Sequence, residues 1–124
     1  MGLDMYLNRV SKNKNEEIYY WRKCNQIHNW FIRNGNLDEG YNAGDPSLVI
    51  DKDLARKFID ELKIVIENHG KAEELFPTAS GFFWGDTAYD DWYFDDLKDT
   101  YIALMGEFVN TDWDNEHWEY TCWW

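Results

Sequence analysis

Met1 to Val10, MGLDMYLNRV, and His117 to Trp124, HWEYTCWW, decide the fold class between them. In the first stretch Leu3, Met5 and Leu7 alternate with Asp4, Tyr6 and Asn8. A period of two places the apolar set on one side, which is the pattern of a strand with one wet face. In the second stretch Glu119, Thr121 and Trp123 alternate with Trp118, Tyr120, Cys122 and Trp124, which reads as a terminal strand. The two strands are expected to pair and so tie both ends of the chain into one sheet.

Between them the period changes. Ser11 to Glu17, SKNKNEE, is polar and unperiodic and reads as a loop. From Ile18 to Arg33 the spacing predicts a helix, with Trp21, Cys24, Ile27, His28 and Phe31 on one face and Arg22, Lys23, Asn25, Gln26 and Asn29 on the other. Asn34-Gly35 stops it, and Ser47 to Ile50 is short and β-prone. Asp51 caps a second helix that runs to about His69 and is ended by Gly70; Leu54, Phe58, Leu62, Val65 and Ile66 form its stripe. Lys71 to Pro77 reads as a short turn, and Ser80 to Trp84 as a strand bounded by Gly81 and Gly85. Thr87 or Asp90 caps a third helix reaching about Val109, with Leu97, Tyr101, Leu104, Met105 and Phe108 buried. The expectation is a single α+β domain over residues 1–124: a small antiparallel sheet, its N- and C-terminal strands paired, packed with three helices.

Composition supports a folded chain. Apolar residues make up 44% and aromatic residues 19% of the sequence, whereas disordered chains are poor in both. The net charge of -12 is unevenly placed. Residues 1–33 carry six basic and three acidic side chains; the remainder carries six basic and twenty-one acidic. Direct binding of the acidic part to a phosphate backbone is therefore not expected, since that needs clustered Lys and Arg. A basic partner is, including one whose own task is to hold nucleic acid. Cys24 and Cys122 have no short spacing, which excludes a local CxxC motif. No secretory apolar segment follows Met1, so a reducing cytoplasm, with buried thiols rather than a disulfide, is the expectation.

The densest functional signal is Phe82 to Asp96, FFWGDTAYDDWYFDD, in which seven of fifteen residues are aromatic and five are Asp. Asp91, Asp95 and Asp99 stand at i, i+4 and i+8 and share one helix face. Such like charges repel by a few tenths of a kcal/mol per pair, partly offset near the positive end of the helix dipole. Between Asp86 and Glu119 there are eleven acids and one base, Lys98. The candidate partner-binding residues are Trp84, Asp86, Asp90, Asp91, Trp92, Tyr93, Asp95, Asp96 and Asp99, the acids carrying charge and Trp84, Trp92 and Tyr93 serving as anchors. The bland alternative is that the acids are caps and a solvated face, and the rings ordinary core.

A second set, Arg22, Lys23, Asn25 and His28 with nearby Trp residues, could line a small-ligand pocket; equally, Trp21 and His28 could be core while Arg22 pairs with a carboxylate. His28, His69 and His117 lack metal-ligand spacing, and no metal or other cofactor is expected. No GxSxG, P-loop or GxGxxG occurs, which argues against common hydrolase or nucleotide-dependent chemistry and gives no catalytic residues to name.

Three segments resemble a group of small bacteriophage and prophage proteins. They are MGLDMYL (Met1 to Leu7), YYWRKCNQIHNWF (Tyr19 to Phe31) and LFPTASGFFWGDTAYDDWYFDDL (Leu75 to Leu97), together about a third of the chain. They match that group's MGLDMYL start, its aromatic–WRK–N–IH–WF helix and its LPT–SGFF–G–YD–Y–DL segment. The chain departs from the pattern at Tyr20, where Gly is expected, and at Trp84, where Phe is expected. The resemblance implies a phage or prophage origin and a cytoplasmic life in an infected or lysogenic bacterium; it brings no activity with it.

Together these readings give an expectation. The chain is a non-enzymatic, protein-binding inhibitor of a bacterial defence system, of the anti-CRISPR or anti-restriction type. Its acidic surface would occupy a cationic nucleic-acid-binding groove of a basic host protein by acidic mimicry. The alternative is a small-ligand binder such as a signalling-nucleotide sponge, or a small enzyme. A homodimer through Trp123 and Trp124 is a further expectation, against the reading that these two residues finish the core.

Overall fold

Alternation at both ends of the chain produces a four-stranded, wholly antiparallel sheet. The computed structural model describes residues 2–38, 40–41, 45–79 and 88–123. In chain order it contains β1 (Asp4–Ser11), β2 (Asn15–Arg22), α1 (Asn25–Asn34), β3 (Leu48–Ile50), α2 (Lys52–Glu67), a 3-10 turn (His69–Lys71), α3 (Ala72–Leu75), α4 (Asp91–Asn110) and β4 (Glu116–Trp123). The strand order is β2-β1-β4-β3, so the first and last strands form the central pair, in register from Asp4 opposite Trp123 to Ser11 opposite Glu116. The strand expected over Ser80 to Trp84, with Trp84, Asp86, Thr87 and Trp124, lies outside the described residues.

One expectation is overturned. Asn15 to Arg22 is a strand, not a loop running into a helix, and the helix begins only at Asn25. A two-residue loop, Lys12-Asn13, closes the β1–β2 hairpin: the Ser11 N–H donates to the Lys14 carbonyl at 2.8 Å and the Lys14 N–H to the Ser11 carbonyl at 3.4 Å. The register shifts between Leu7 and Asn8, opposite Tyr19 and Glu17, which leaves Ile18 as the extra residue of a bulge. Strand geometry suits the run IYYW because aromatic and β-branched residues fit a pleated, half-buried surface. At Lys23 the backbone adopts φ 53°, and its N–H donates to the Leu3 carbonyl at 2.6 Å, turning the chain from β2 into α1.

All three longer helices lie on the same side of the sheet. Leu3, Met5, Leu7, Trp21, Trp118, Tyr120, Cys122 and Ile50 point inward and are buried. Against them pack Ile27, Trp30 and Phe31 of α1, Phe58, Leu62 and Val65 of α2, and Leu97 and Leu104 of α4. Phe31 stacks on Tyr120 with centroids 4.2 Å apart, and Trp30 meets Phe58 at 4.7 Å. Each such side chain contributes about 1.5–3 kcal/mol on burial, and the ring geometry adds to that. At the end of α1, a Cβ on Gly35 would lie 2.6 Å from the Phe31 carbonyl and 2.7 Å from Leu48, so only glycine fits the approach of α1 to β3.

α2 bears out its cap and its stripe: Asp51 accepts the Leu54 N–H at 2.8 Å, and the stripe faces the core. Its end comes earlier than expected, at Glu67 with Asn68 as C-cap, and Gly70 falls in the 3-10 turn that follows. α4 runs antiparallel to it, with Arg56 5.6 Å over the Phe108 ring at one end and His69 stacked on Phe94 at 3.7 Å at the other. None of the described helices is long and apolar enough to cross a membrane.

Candidate functional site: the outer face of α4

The first turn of α4 is fixed by Asp90, whose side chain accepts the Tyr93 N–H at 3.1 Å. Once the helix starts there, its 3.6-residue period turns Tyr93, Leu97, Thr100 and Leu104 onto the core. Asp91, Asp95, Asp99, Ile102 and Val109 then stand on the opposite, exposed side. The acidic line expected from the sequence is thus a real outer ridge. Trp92, 79% exposed, flanks it.

Tyr93 departs from expectation. It is 3% exposed, its hydroxyl donates to the Phe76 carbonyl at 2.6 Å, and burial pushes its pKa upward. Its ring is a core element that seats the helix and not an outward anchor. Met105, expected in the core, is exposed, because the inward arc of α4 is narrower than the stripe drawn for it. Ile102 and Val109, which the sequence reading passed over, continue the ridge as exposed apolar side chains. A Cβ at Gly106 between them would meet nothing within 4 Å. The ridge is therefore acidic over its N-terminal half and apolar over its C-terminal half.

Asp96 sits beside the ridge at the junction with α1. Although the residue is exposed overall, one carboxylate oxygen receives the buried Cys24 thiol at 3.7 Å. Desolvation there raises the Asp96 pKa, the thiol's hydrogen bond works against the rise, and Asp99, Asp95 and Asp90 add to it. Cys24 is pushed well above its ordinary pKa, chiefly by burial and then by Asp96, so it is held as a neutral thiol. The other cysteine, Cys122, is also buried and donates to the Tyr41 carbonyl at 3.4 Å.

The second candidate set does not converge. Arg22 is exposed at the end of β2 on the side of the sheet away from the helices. Asn25 and His28 are fully buried: the Asn25 side chain accepts the Ala79 N–H at 3.0 Å, and His28 Nδ1 lies 2.6 Å from the Tyr120 hydroxyl. Gln26, expected on the polar side of the helix, is buried as well and donates to the Tyr93 carbonyl at 3.4 Å. Of the four, Lys23 lines a cleft among the described residues, a space of about 180 Å³ shared with Gln26, Asp90, Trp92, Tyr93 and Asp96. This is below the ~300 Å³ at which small-molecule sites begin. Among the described residues, no group of three His, Cys, Asp or Glu side chains could hold a metal ion.

No protein-family model, no curated protein and no solved structure matches this chain.

Proposed function

We propose that this protein is a binding protein whose acidic α4 ridge engages a basic, nucleic-acid-binding protein. The biological setting implied by the resemblance to phage proteins is inhibition of a bacterial defence effector in the host cytoplasm. The observation that carries the reading is the outer line Asp91, Asp95 and Asp99, flanked by Asp90 and Asp96 and by Trp92 at 79% exposure. A carboxylate ridge set about one helical turn apart offers a row of anionic charge to a cationic groove. An exposed Trp beside it supplies the kind of anchor that dominates protein interfaces. The apolar half at Ile102 and Val109 favours a protein surface over a purely electrostatic, counterion-like contact.

Binding is tested by recovering the partner of the tagged protein from a bacterial lysate at low and moderate salt and challenging the complex with duplex DNA. The reading expects a nucleic-acid-binding partner, displaced by DNA, whose binding fails with Asp91→Lys/Asp95→Lys/Asp99→Lys. Undiminished binding by that variant would refute it. The small-ligand alternative gains little from the geometry, since three of its four residues do not reach a common cavity.

A further inference from the structure

Gly106 stands in the interior of α4, on ordinary helical backbone, and among the described residues a Cβ there would meet nothing within 4 Å. Neither conformation nor internal packing calls for glycine. Alanine would make the more stable helix, because glycine loses more backbone freedom on folding. What a missing side chain does provide is room for a second backbone to approach closely. The neighbouring residues point the same way. Asp95, Asp99, Ile102, Gly106 and Val109 follow one another at steps of four, three, four and three. A mean step of about 3.5 keeps one line of a helix turned toward a partner helix. This seam runs about 21 Å along the outer side of α4. Ile102 is 57% exposed, Met105 46% and Val109 78%. Beside Met105 the apolar surface continues into a cleft of about 250 Å³ walled by Ile59, Tyr101 and Phe108. Arg56, Asp60 and Lys63 line the same cleft and leave it one positive charge. Charge divides the helix sharply. Residues 90–99 hold five Asp and one Lys, whereas residues 100–110 hold only Glu107, which is turned to Arg9 at 3.6 Å.

We infer that the seam receives an α-helix of the basic partner, packed antiparallel to α4 with its closest approach at Gly106. The inference rests on the ridge reading above and names the element that the ridge binds. Charge complementarity fixes the chemistry of that helix. Lys or Arg side chains are called for over Asp95 and Asp99, and small and apolar ones over Ile102, Gly106 and Val109. The adaptable Met105 side chain and the cleft beside it take one larger apolar residue. The antiparallel direction follows from the dipoles. It places the cations in the C-terminal half of the partner helix, where they are stabilising, and opposes the two macrodipoles. A second copy of this chain does not meet the requirement. Laid antiparallel across Gly106, its α4 ends at Asn110, short of Asp99 and Asp95 of the first copy, and brings them no cation.

The probe is a synthetic amphipathic helix of about 18 residues, long enough to span the seam. It carries alanine and leucine on one line of its N-terminal half and lysine on the same line of its C-terminal half. A peptide with the two halves exchanged is the comparison. NMR titration of the isotope-labelled protein should shift the Ile102, Gly106 and Val109 amides together with those of Asp95 and Asp99. The first peptide should bind at least about fivefold more tightly than the second. Gly106→Leu should weaken binding at least about tenfold. Gly106→Ala should weaken it less while raising the Tm of the free protein by roughly 3 °C. Ile102→Ser combined with Val109→Ser should weaken binding by the same factor at low and moderate salt. The triple change Asp91→Lys/Asp95→Lys/Asp99→Lys should instead abolish the salt dependence. No shift up to about millimolar peptide would overturn the inference, as would shifts confined to the Asp residues or undiminished binding by Gly106→Leu. None of these results refutes the ridge reading, which is decided by capture of the natural partner with and without the three Asp reversals.

Discussion

His28 Nδ1 lies 2.6 Å from the Tyr120 hydroxyl, joining α1 to β4 inside the core. Both residues are fully buried, and burial holds the imidazole neutral by lowering its pKa to about 4. The unfolded chain, with an ordinary histidine pKa near 6.5, takes up a proton that the folded chain refuses. Stability from this group is therefore complete above about pH 6.5 and lost as pH falls toward 4, by roughly 3 kcal/mol if the whole shift is expressed. Urea melts of the wild type between pH 7 and pH 4 should show the fall, and His28→Gln should flatten it while lowering stability at pH 7.

Thr100 couples the sheet to α4. Its hydroxyl accepts the Trp21 indole N–H at 2.8 Å and donates to the Asp96 carbonyl at 2.7 Å. Thr100→Val keeps the volume but strands the buried indole N–H, at an expected cost of about 1–3 kcal/mol. Thr100→Ser should retain most of the stability. Equal losses in the two variants, measured by chemical denaturation, would mean that the methyl group and not the hydrogen bond matters.

The Asp90 cap should be separable from the ridge charge. Asp90→Ala removes the acceptor of the Tyr93 N–H and should cost about 1 kcal/mol, while Asp90→Asn, an equally good cap, should cost little. Asp96→Asn is expected to act in the opposite direction. The native site raises the Asp96 pKa by desolvation, so its ionised form is held at a cost that grows as pH rises. The amide should melt higher than wild type at pH 7, and the gain should shrink at acid pH.

The parts of the fold legible in the sequence were those where a single period ran long enough. α2 announced itself by the Asp51 cap and an unbroken stripe, and β1 and β4 by strict alternation. β2 was not legible, for a physical reason. Trp21, Cys24, Ile27 and Phe31 have helical spacing by coincidence, since Trp21 reaches the core from a strand, Cys24 from the residue before the helix, and only Ile27 and Phe31 from the helix itself. The Lys12-Asn13 loop carries none of the glycine that usually marks a two-residue hairpin. Asn25 and Gln26 look like surface residues, but they are buried because they bind the backbone groups of Ala79 and Tyr93, which composition cannot reveal. On α4 the acidic line was readable from i, i+4 spacing alone. That Tyr93 turns inward and Trp92 outward depended on where the Asp90 cap started the helix.

The most direct test of the central claim is the affinity of the wild-type protein for its captured basic partner, compared with Asp91→Lys/Asp95→Lys/Asp99→Lys at low and moderate salt. The ridge account expects wild-type binding that weakens with salt and a loss of at least about tenfold, or 1.4 kcal/mol, in the variant, with the fold retained by circular dichroism. Binding that is insensitive to salt and unchanged by the three reversals would contradict it.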